Sequence, residues 1–174
     1  MSILSNYDVF YYVSTTSFGK ILVASTEKGI CLANFVDDDT QRQLSWLKKH
    51  FPESNIINDK EKNIEVFTQL EEYFEGSRKS FDLKIHLIGT PFQEQVWNVL
   101  KEIPYNKLLT YKDVSTLLGD PKKCRAVGGA VGKNPIVIIV PCHRVVGSNG
   151  KMTGFSSLGG IDLKKKLLKL EKSI

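Results

Sequence analysis

A chain of 174 residues with 41% hydrophobic and 25% charged side chains can bury a core of its own, as one domain or two small ones, and has the make-up of a soluble globular protein. No apolar run reaches the roughly 18 residues of a membrane span, residues 1–8 lack the basic-then-apolar layout of a secretion signal, and three cysteines without CxxC spacing favour free thiols in a reducing, intracellular setting. The net charge of +5 hides an asymmetry: residues 1–88 carry 10 Lys and Arg against 13 Asp and Glu, a balance of −3, and residues 89–174 carry 14 against 6, a balance of +8. The second half therefore suits a polyanion or simply presents a lysine-rich wet surface. The histidines at 50, 86 and 143 are scattered, so no zinc site is expected.

In chain order, Tyr7 to Thr15, Lys20 to Ser25 and Gly29 to Val36 are rich in β-branched and aromatic residues and are separated by turn signals. They predict an antiparallel meander. Asp37 to Thr40 offers a helix cap, and Leu44, Leu47 and Phe51 give helical spacing until Pro52. Residues 54–63 read as a polar connection. Ile64, Phe67, Leu70, Tyr73 and Phe74 predict an amphipathic helix closed by Gly76, and Phe81, Leu83, Ile85 and Leu87 alternate like a strand with one buried face. Nothing in this half has the spacing of a catalytic motif; its apolar residues read as core.

Residues 88–91 mark the domain junction, which gives domains 1–88 and 89–174. Thr90 fits a helix N-cap and Pro91 the first helical position, with Phe92, Val96, Val99, Leu100 and Ile103 following at helical spacing. Thr110 caps a short helix with Val114, Leu117 and Leu118 inside, and a further helix follows Gly119-Asp120-Pro121. Two short helices around a tight Gly/Pro turn outline a helix-turn-helix. Gly128, Gly129 and Gly132 are costly in a helix, at about 1 kcal/mol each relative to alanine. Two readings stay open: close packing against another helix, or close approach of the backbone to DNA with Lys122, Lys123, Arg125 and Lys133 as counter-charge.

Ile136 to Val140 predicts a buried strand, cut off at Pro141, so that Cys142-His143-Arg144 sits where the strand releases the chain. Gly147 to Gly150 reads as a hairpin-type turn and residues 154–160 as a flexible loop. The last helix, about Ile161 to Lys172, places Leu163, Leu167, Leu168 and Leu170 on one arc, with lysines 165, 166, 169 and 172 outside it. Glu171 falls inside that arc, where an unpaired carboxylate is costly and a partner is expected. A thiol beside an imidazole, with an inward acid to orient the ring, follows the nucleophile, base and orienter logic of the triads. His143 would take the thiol proton directly or through a water. Spacing alone leads to a cysteine nucleophile beside a helix-turn-helix in a basic domain.

Ile139-Val140-Pro141-Cys142-His143-Arg144-Val145-Val146 resembles the active-site signature of the O6-alkylguanine-DNA alkyltransferases, also called methylated-DNA–protein-cysteine methyltransferases. Gly89 to Trp97, Tyr111, Arg125 to Ala130, Asn134-Pro135 and Leu167-Leu168 through Glu171 are similar to that family as well, and cover nearly the whole C-terminal half. The resemblance implies an α/β (α+β) protein, with an N-terminal ribonuclease-H-like α/β domain and a C-terminal winged-helix-like helix-turn-helix domain. It implies a monomer that repairs duplex DNA containing O6-alkylguanine, and O4-alkylthymine, with no metal, no organic cofactor and no membrane, in the cytoplasm (or the nucleus of a eukaryote).

The same resemblance implies the site residues. Cys142 is the alkyl acceptor, His143 the base acting through a water, Glu171 the residue behind it, and Asn134 a brace for the active-site turn. Tyr111 donates towards the purine and presses on the phosphate. Arg125 fills the vacated stack, with Ala126 and Gly128 against the minor groove and Lys122, Lys123 and Ser148 on the DNA. Val145, Phe155, Ser156 and Ser157 line the pocket with Tyr111, and the backbone of Cys142 and Val145 accepts from the guanine amine. One departure stands out: the family's Gly-Tyr-x-Gly-Gly is replaced by Gly154-Phe155-Ser156-Ser157-Leu158-Gly159-Gly160, about two residues longer, which leaves open which serine faces O6. Three other readings are a non-catalytic lesion binder, whose relatives replace the acceptor cysteine, a winged-helix regulator, which leaves Cys142 and Glu171 without a task, and a cysteine hydrolase, which turnover beyond one equivalent of substrate would distinguish.

Overall fold

Alternating apolar residues in the first 36 positions form three antiparallel strands: β1 (Val9–Thr16), β2 (Gly19–Thr26) and β3 (Gly29–Phe35). The structure, a computed structural model, describes residues 7–174 and divides the chain into two units, Met1–Ile88 and Gly89–Ile174. The sequence reading of residues 1–6 lies outside the described residues.

In the first unit the sheet order is β3-β2-β1-β4, with β4 (Ile56–Asn58) parallel to β1. This short edge strand lies in the stretch expected to be plain connection. Three residues are too few to carry a period, which is why alternation did not mark it. Helix α1 (Gln41–His50) covers one face, where Leu47 and Phe51 join Leu22, Ala24, Cys31 and Leu32 in the core. Its first turn is capped by Asp39, whose carboxylate accepts from Gln41 N–H at 3.0 Å. Helix α2 (Ile64–Phe74) meets β1 through the edge-on pair of Tyr12 and Phe67, and Asn63 before it ties Ser25 to the Phe10 carbonyl.

Two expectations fail in this unit. Ile64 is 45% exposed, at the mouth of its helix rather than on the buried stripe. The strand expected over residues 80–87 reduces to one bridge, Ile85 beside Ile30, made by Ile30 N–H to Lys84 O and His86 N–H to Ile30 O. Strand β3 begins at Gly29, so the extended segment runs past the end of its partner, and its buried side chains are His86 and Ile88.

The second unit is helical. Helix α3 (Pro91–Lys101) opens on a complete capping box: Thr90 Oγ1 accepts from Gln93 N–H, and Gln93 Oε1 accepts from Thr90 N–H. Helix α4 (Tyr111–Leu117) repeats the device with Thr110 and Asp113. Gly119 and the turn Pro121–Lys123 lead into α5 (Cys124–Gly132), which completes the helix-turn-helix. Trp97, 1% exposed, donates to the Ala130 carbonyl at 2.8 Å and locks α3 to α5 over Val96, Leu100, Val127 and Val131. Leu117, expected inside, is 65% exposed; the buried side of this two-turn helix is taken by Val114 and Ser115, whose hydroxyl donates to Asp120 O.

The main correction concerns residues 136–140, which form a buried turn and not a strand. Ile138 sits at φ +72°, Val140 N–H returns to Ile136 O, and no ladder forms beyond the Val137–Val140 bridge. An apolar β-branched run reports burial, and burial is what it has. Regular pairing resumes only at β6 (Val145–Val146), parallel to β5 (Leu109–Thr110). The turn at Ser148–Gly150 is present, with Asn149 and Gly150 at positive φ, but it follows β6 with no strand after it to complete a hairpin. Helix α6 (Gly160–Leu170) closes the chain.

Gly89 explains the tight entry to α3, since a Cβ there would run into the Trp97 ring. Gly89→Ala is expected to lower the stability of the second unit by about 1–3 kcal/mol through overpacking. Urea unfolding followed by Trp97 fluorescence, in a Trp46→Phe background, measures it.

Candidate active site

Cys142 begins a single helical turn, Cys142–Arg144, that is wholly buried, with the thiol residue only 5% exposed. The turn before it is held open by Asn134: Nδ2 donates to Val140 O at 2.8 Å, and Oδ1 accepts from Ile136 N–H at 3.0 Å. One side chain therefore satisfies both polar groups exposed by the reversed backbone at Ile138. The thiol is presented by a turn that leads into β6, not by the end of a strand.

Behind Cys142 lies a closed ionic cluster. Glu171, at the C-terminus of α6, has no exposed surface, and its carboxylate accepts His143 Nε2 at 2.6 Å, Arg144 Nε at 2.8 Å and Arg144 Nη2 at 3.0 Å. Arg144 also donates through Nη1 to Ile103 O and packs on the Tyr105 ring. Truncating one member of such a buried pair typically costs about 3–5 kcal/mol, because the other is left charged and unpaired. With Nε2 facing a carboxylate, the ring proton sits on that nitrogen and Nδ1 is left with its lone pair. His143 Nδ1 is buried and makes no hydrogen bond. Burial holds the imidazole below its ordinary range, against the pull of Glu171, while Arg144 and Lys164 push it further down. The ring is thus a neutral acceptor.

Burial also pushes the Cys142 thiol up. The Asn134 amide, the Lys164 ammonium and the backbone N–H groups of Cys142 and His143 pull the other way. Lys164 escaped the reading of the last helix, although it lies on the same arc as Leu163, Leu167 and Glu171. It is fully buried and donates to Val145 O at 2.6 Å and to Thr153 O at 2.8 Å. Burial brings its ammonium down to about 8, with Cys142 opposing. Arg144, seen in the sequence only as a nearby cation, is the second residue whose position the pattern did not reveal.

Tyr111 is brought to the site by the β5–β6 pairing, since Thr110 lies opposite Val146 and Tyr111 follows it. Its hydroxyl donates to Thr153 O at 3.1 Å, and burial pushes the phenol up. Gly154, at φ +70°, allows that approach: a Cβ there would lie 2.5 Å from the Tyr111 hydroxyl. Phe155 is half-buried, Ser157 is buried, and Ser156 is exposed, with its hydroxyl donating to Gly132 O. The carbonyls of Cys142 and Val145 already accept from Val145 N–H and Lys164 respectively, each with a lone pair to spare.

Lys122, Lys123, Arg125 and Ala126 are exposed around the start of α5, Gly128 is half-buried on it, and Ser148 is exposed on its own turn. A Cβ at Gly129 or Gly132 would meet nothing within 4 Å, and one at Gly128 only Tyr111 Cδ1 at 3.9 Å. Packing within the chain does not require these glycines. Cys124 is half-buried and donates to Pro121 O, while burial pushes Cys31 in the other unit up to about 12. Among the described residues no group of three or more His, Cys, Asp or Glu converges on a metal, and no helix is long and apolar enough to cross a membrane.

A buried cysteine followed by a hydrogen-bonded His–Glu pair, beside a helix-turn-helix, narrows the comparison. The family model of the 6-O-methylguanine DNA methyltransferase DNA-binding domain matches residues 91–173, and that of its ribonuclease-like domain matches residues 9–87. The chain belongs to this methyltransferase family. The methylated-DNA–protein-cysteine methyltransferase of Methanosarcina acetivorans is 46% identical over 95% of this chain and 99% of its own. The inducible protein of that name in Bacillus subtilis is 41% identical over 86% of this chain and 83% of its own. Among solved structures, the Mycobacterium tuberculosis O6-methylguanine methyltransferase superposes with a TM-score of 0.79 at 34% identity, covering 95% of this chain and 93% of its own. The same organism's OGT in complex with DNA gives 0.78 at 35% identity, over 94% and 93%. The sheet-rich first unit and helical second unit match the arrangement in these methyltransferases.

Lys164→Met removes a cation that favours the thiolate. Alkylation of Cys142 by iodoacetamide at pH 7, where the Lys164 ammonium is still charged, is expected to slow by about tenfold, the change in thiolate for one pKa unit. Peptide mass spectrometry, with Cys124 as internal reference, reads it.

Proposed function

We infer that the protein repairs DNA by direct reversal, moving the alkyl group of O6-alkylguanine, and of O4-alkylthymine, irreversibly onto Cys142. The observation that carries this reading is the His143–Glu171 relay behind a buried thiol, with Nδ1 free to accept, in a chain of this family. The Cys142 sulfur attacks the alkyl carbon in line, forming the S–C bond as the O6–C bond breaks. The thiol proton passes through a water to His143 Nδ1, and the electron pair is left on the purine, towards which Tyr111 donates. The resulting thioether has no leaving group that water could displace, so each molecule reacts once. Glu171 and Arg144 hold and charge-balance the imidazole, and Asn134 braces the turn that presents the sulfur.

The domains divide the work at residues 88 and 89: residues 89–174 bind DNA and accept the alkyl group, and residues 1–88 form the ribonuclease-like partner domain. The target base is extruded from the minor-groove side at a cost of about a few kcal/mol. Arg125 fills the gap it leaves, Ala126 and Gly128 approach the groove, and Lys122, Lys123 and Ser148 meet phosphates. Glycines that intramolecular packing does not require support a helix face that lies against a duplex. Val145, Phe155, Ser156 and Ser157 line the pocket with Tyr111. The protein works as a monomer in the cytoplasm, without metal or organic cofactor.

Incubation with duplex O6-methylguanine is expected to add one methyl to Cys142 and to stop at one equivalent, by intact-protein and peptide mass spectrometry. A Cys142→Ala protein that gains the same mass would sink the reading. The rate is expected to fall as the pH drops and Nδ1 of His143 becomes protonated. Because burial holds that ring's pKa below 6.5, the decline falls in the window beneath it. Arg125→Ala is expected to slow reaction with the duplex lesion by at least tenfold and to leave reaction with free O6-benzylguanine within about twofold, since the free base needs no extrusion. Equal losses on both substrates would remove the stacking role.

A further inference from the structure

The segment from Thr153 to Ser156 is pinned at both ends, and its two anchors lie on different neighbours of the thiol. The Thr153 carbonyl accepts from both the Tyr111 hydroxyl and the Lys164 ammonium. The Ser156 hydroxyl donates to the carbonyl of Gly132, the last residue of α5 and two positions before the Asn134 brace. Lys164 and Asn134 favour the charged form of Cys142, and Cys142 in turn raises the Tyr111 phenol, so the segment links groups that surround the sulfur. The burial agrees: Cys142 is 5% and Ser157 8% exposed, while Ser156 and Leu158 face outward.

A span of three residues reaches at most about 10 Å. Fixed at both ends, it bows outward only if an anchor lets go. Releasing Thr153 costs two hydrogen bonds, one of them from a buried ammonium. Releasing Ser156 costs one, on the exposed side. Ser156 is the anchor that yields. Its single O–H is committed to Gly132.

We propose that Ser156 is a specificity-determining strap: it ties the long pocket loop to the end of the recognition helix and so restricts the size of the alkyl group that reaches Cys142. The proposal rests on the alkyl-transfer reading above. A methyl group enters beneath a closed strap, whereas a benzyl group needs it open. Loss of one hydrogen bond shifts the opening equilibrium by about threefold to tenfold.

The test compares single-turnover rates of the full-length protein, Ser156→Ala and Ser156→Thr on one duplex bearing either O6-methylguanine or O6-benzylguanine. Amide hydrogen exchange across residues 153–158 is followed in the same proteins without DNA. The benzyl-to-methyl rate ratio is expected to rise about threefold to tenfold in Ser156→Ala and to return in Ser156→Thr, which keeps the hydroxyl; exchange in the loop rises and falls in step. An unchanged ratio overturns the proposal whatever the exchange does. A parallel loss of both rates overturns it too, and marks Ser156 as a donor to the lesion instead. Should the wild-type protein transfer neither group, the alkyl-transfer reading fails first, and the exchange arm alone shows whether Ser156 pins the loop.

Discussion

One buried carboxylate organises the second unit. Glu171 takes three hydrogen bonds from two consecutive residues, His143 and Arg144, and thereby fastens the end of α6 to the turn that carries Cys142. Two charges are taken out of water to do this, so the arrangement is a poor way to add stability. Its return is geometric. Arg144 neutralises the carboxylate and His143 is oriented by it, which leaves a neutral imidazole with one nitrogen committed and the other available.

The turn before Cys142 follows from the same economy of partners. A strand in that place would have satisfied its backbone through neighbours on either side; a reversal at Ile138 cannot, and the Asn134 side chain serves instead. Lys164 then crosses from α6 to Val145 O and Thr153 O, so the thiol sits among fixed dipoles and one buried cation. Family membership and this geometry meet in one chemical statement: burial holds the sulfur towards its thiol form, against the pull of Asn134 and Lys164.

Much of this was legible in the residues. Thr90 with Gln93 and Thr110 with Asp113 are short-range devices that work wherever they occur, and both helices begin where those pairs put them. Glu171 could be placed because helical spacing is long enough over residues 161–171 to define an arc. Lys164 lay on that arc too; a lysine is usually read as solvated, and that habit hid it. Residues 136–140 misled for a different reason. Hydrophobic runs report that a segment is buried and say nothing of whether it is straight, and a lone positive φ at an isoleucine leaves no mark in composition. The alternating residues of 80–87 failed similarly, since pairing depends on how far the neighbouring strand extends.

A molecule that is consumed by its reaction faces a problem that a turnover enzyme does not, because every alkylation by the wrong electrophile removes it permanently. Thiol reactivity towards peroxides and soft alkylating metabolites tracks thiolate fraction and access. Burial of Cys142, with its thiol held above the ordinary range, lowers both. The resting protein is in effect a protected reagent, and its protecting group is the fold itself.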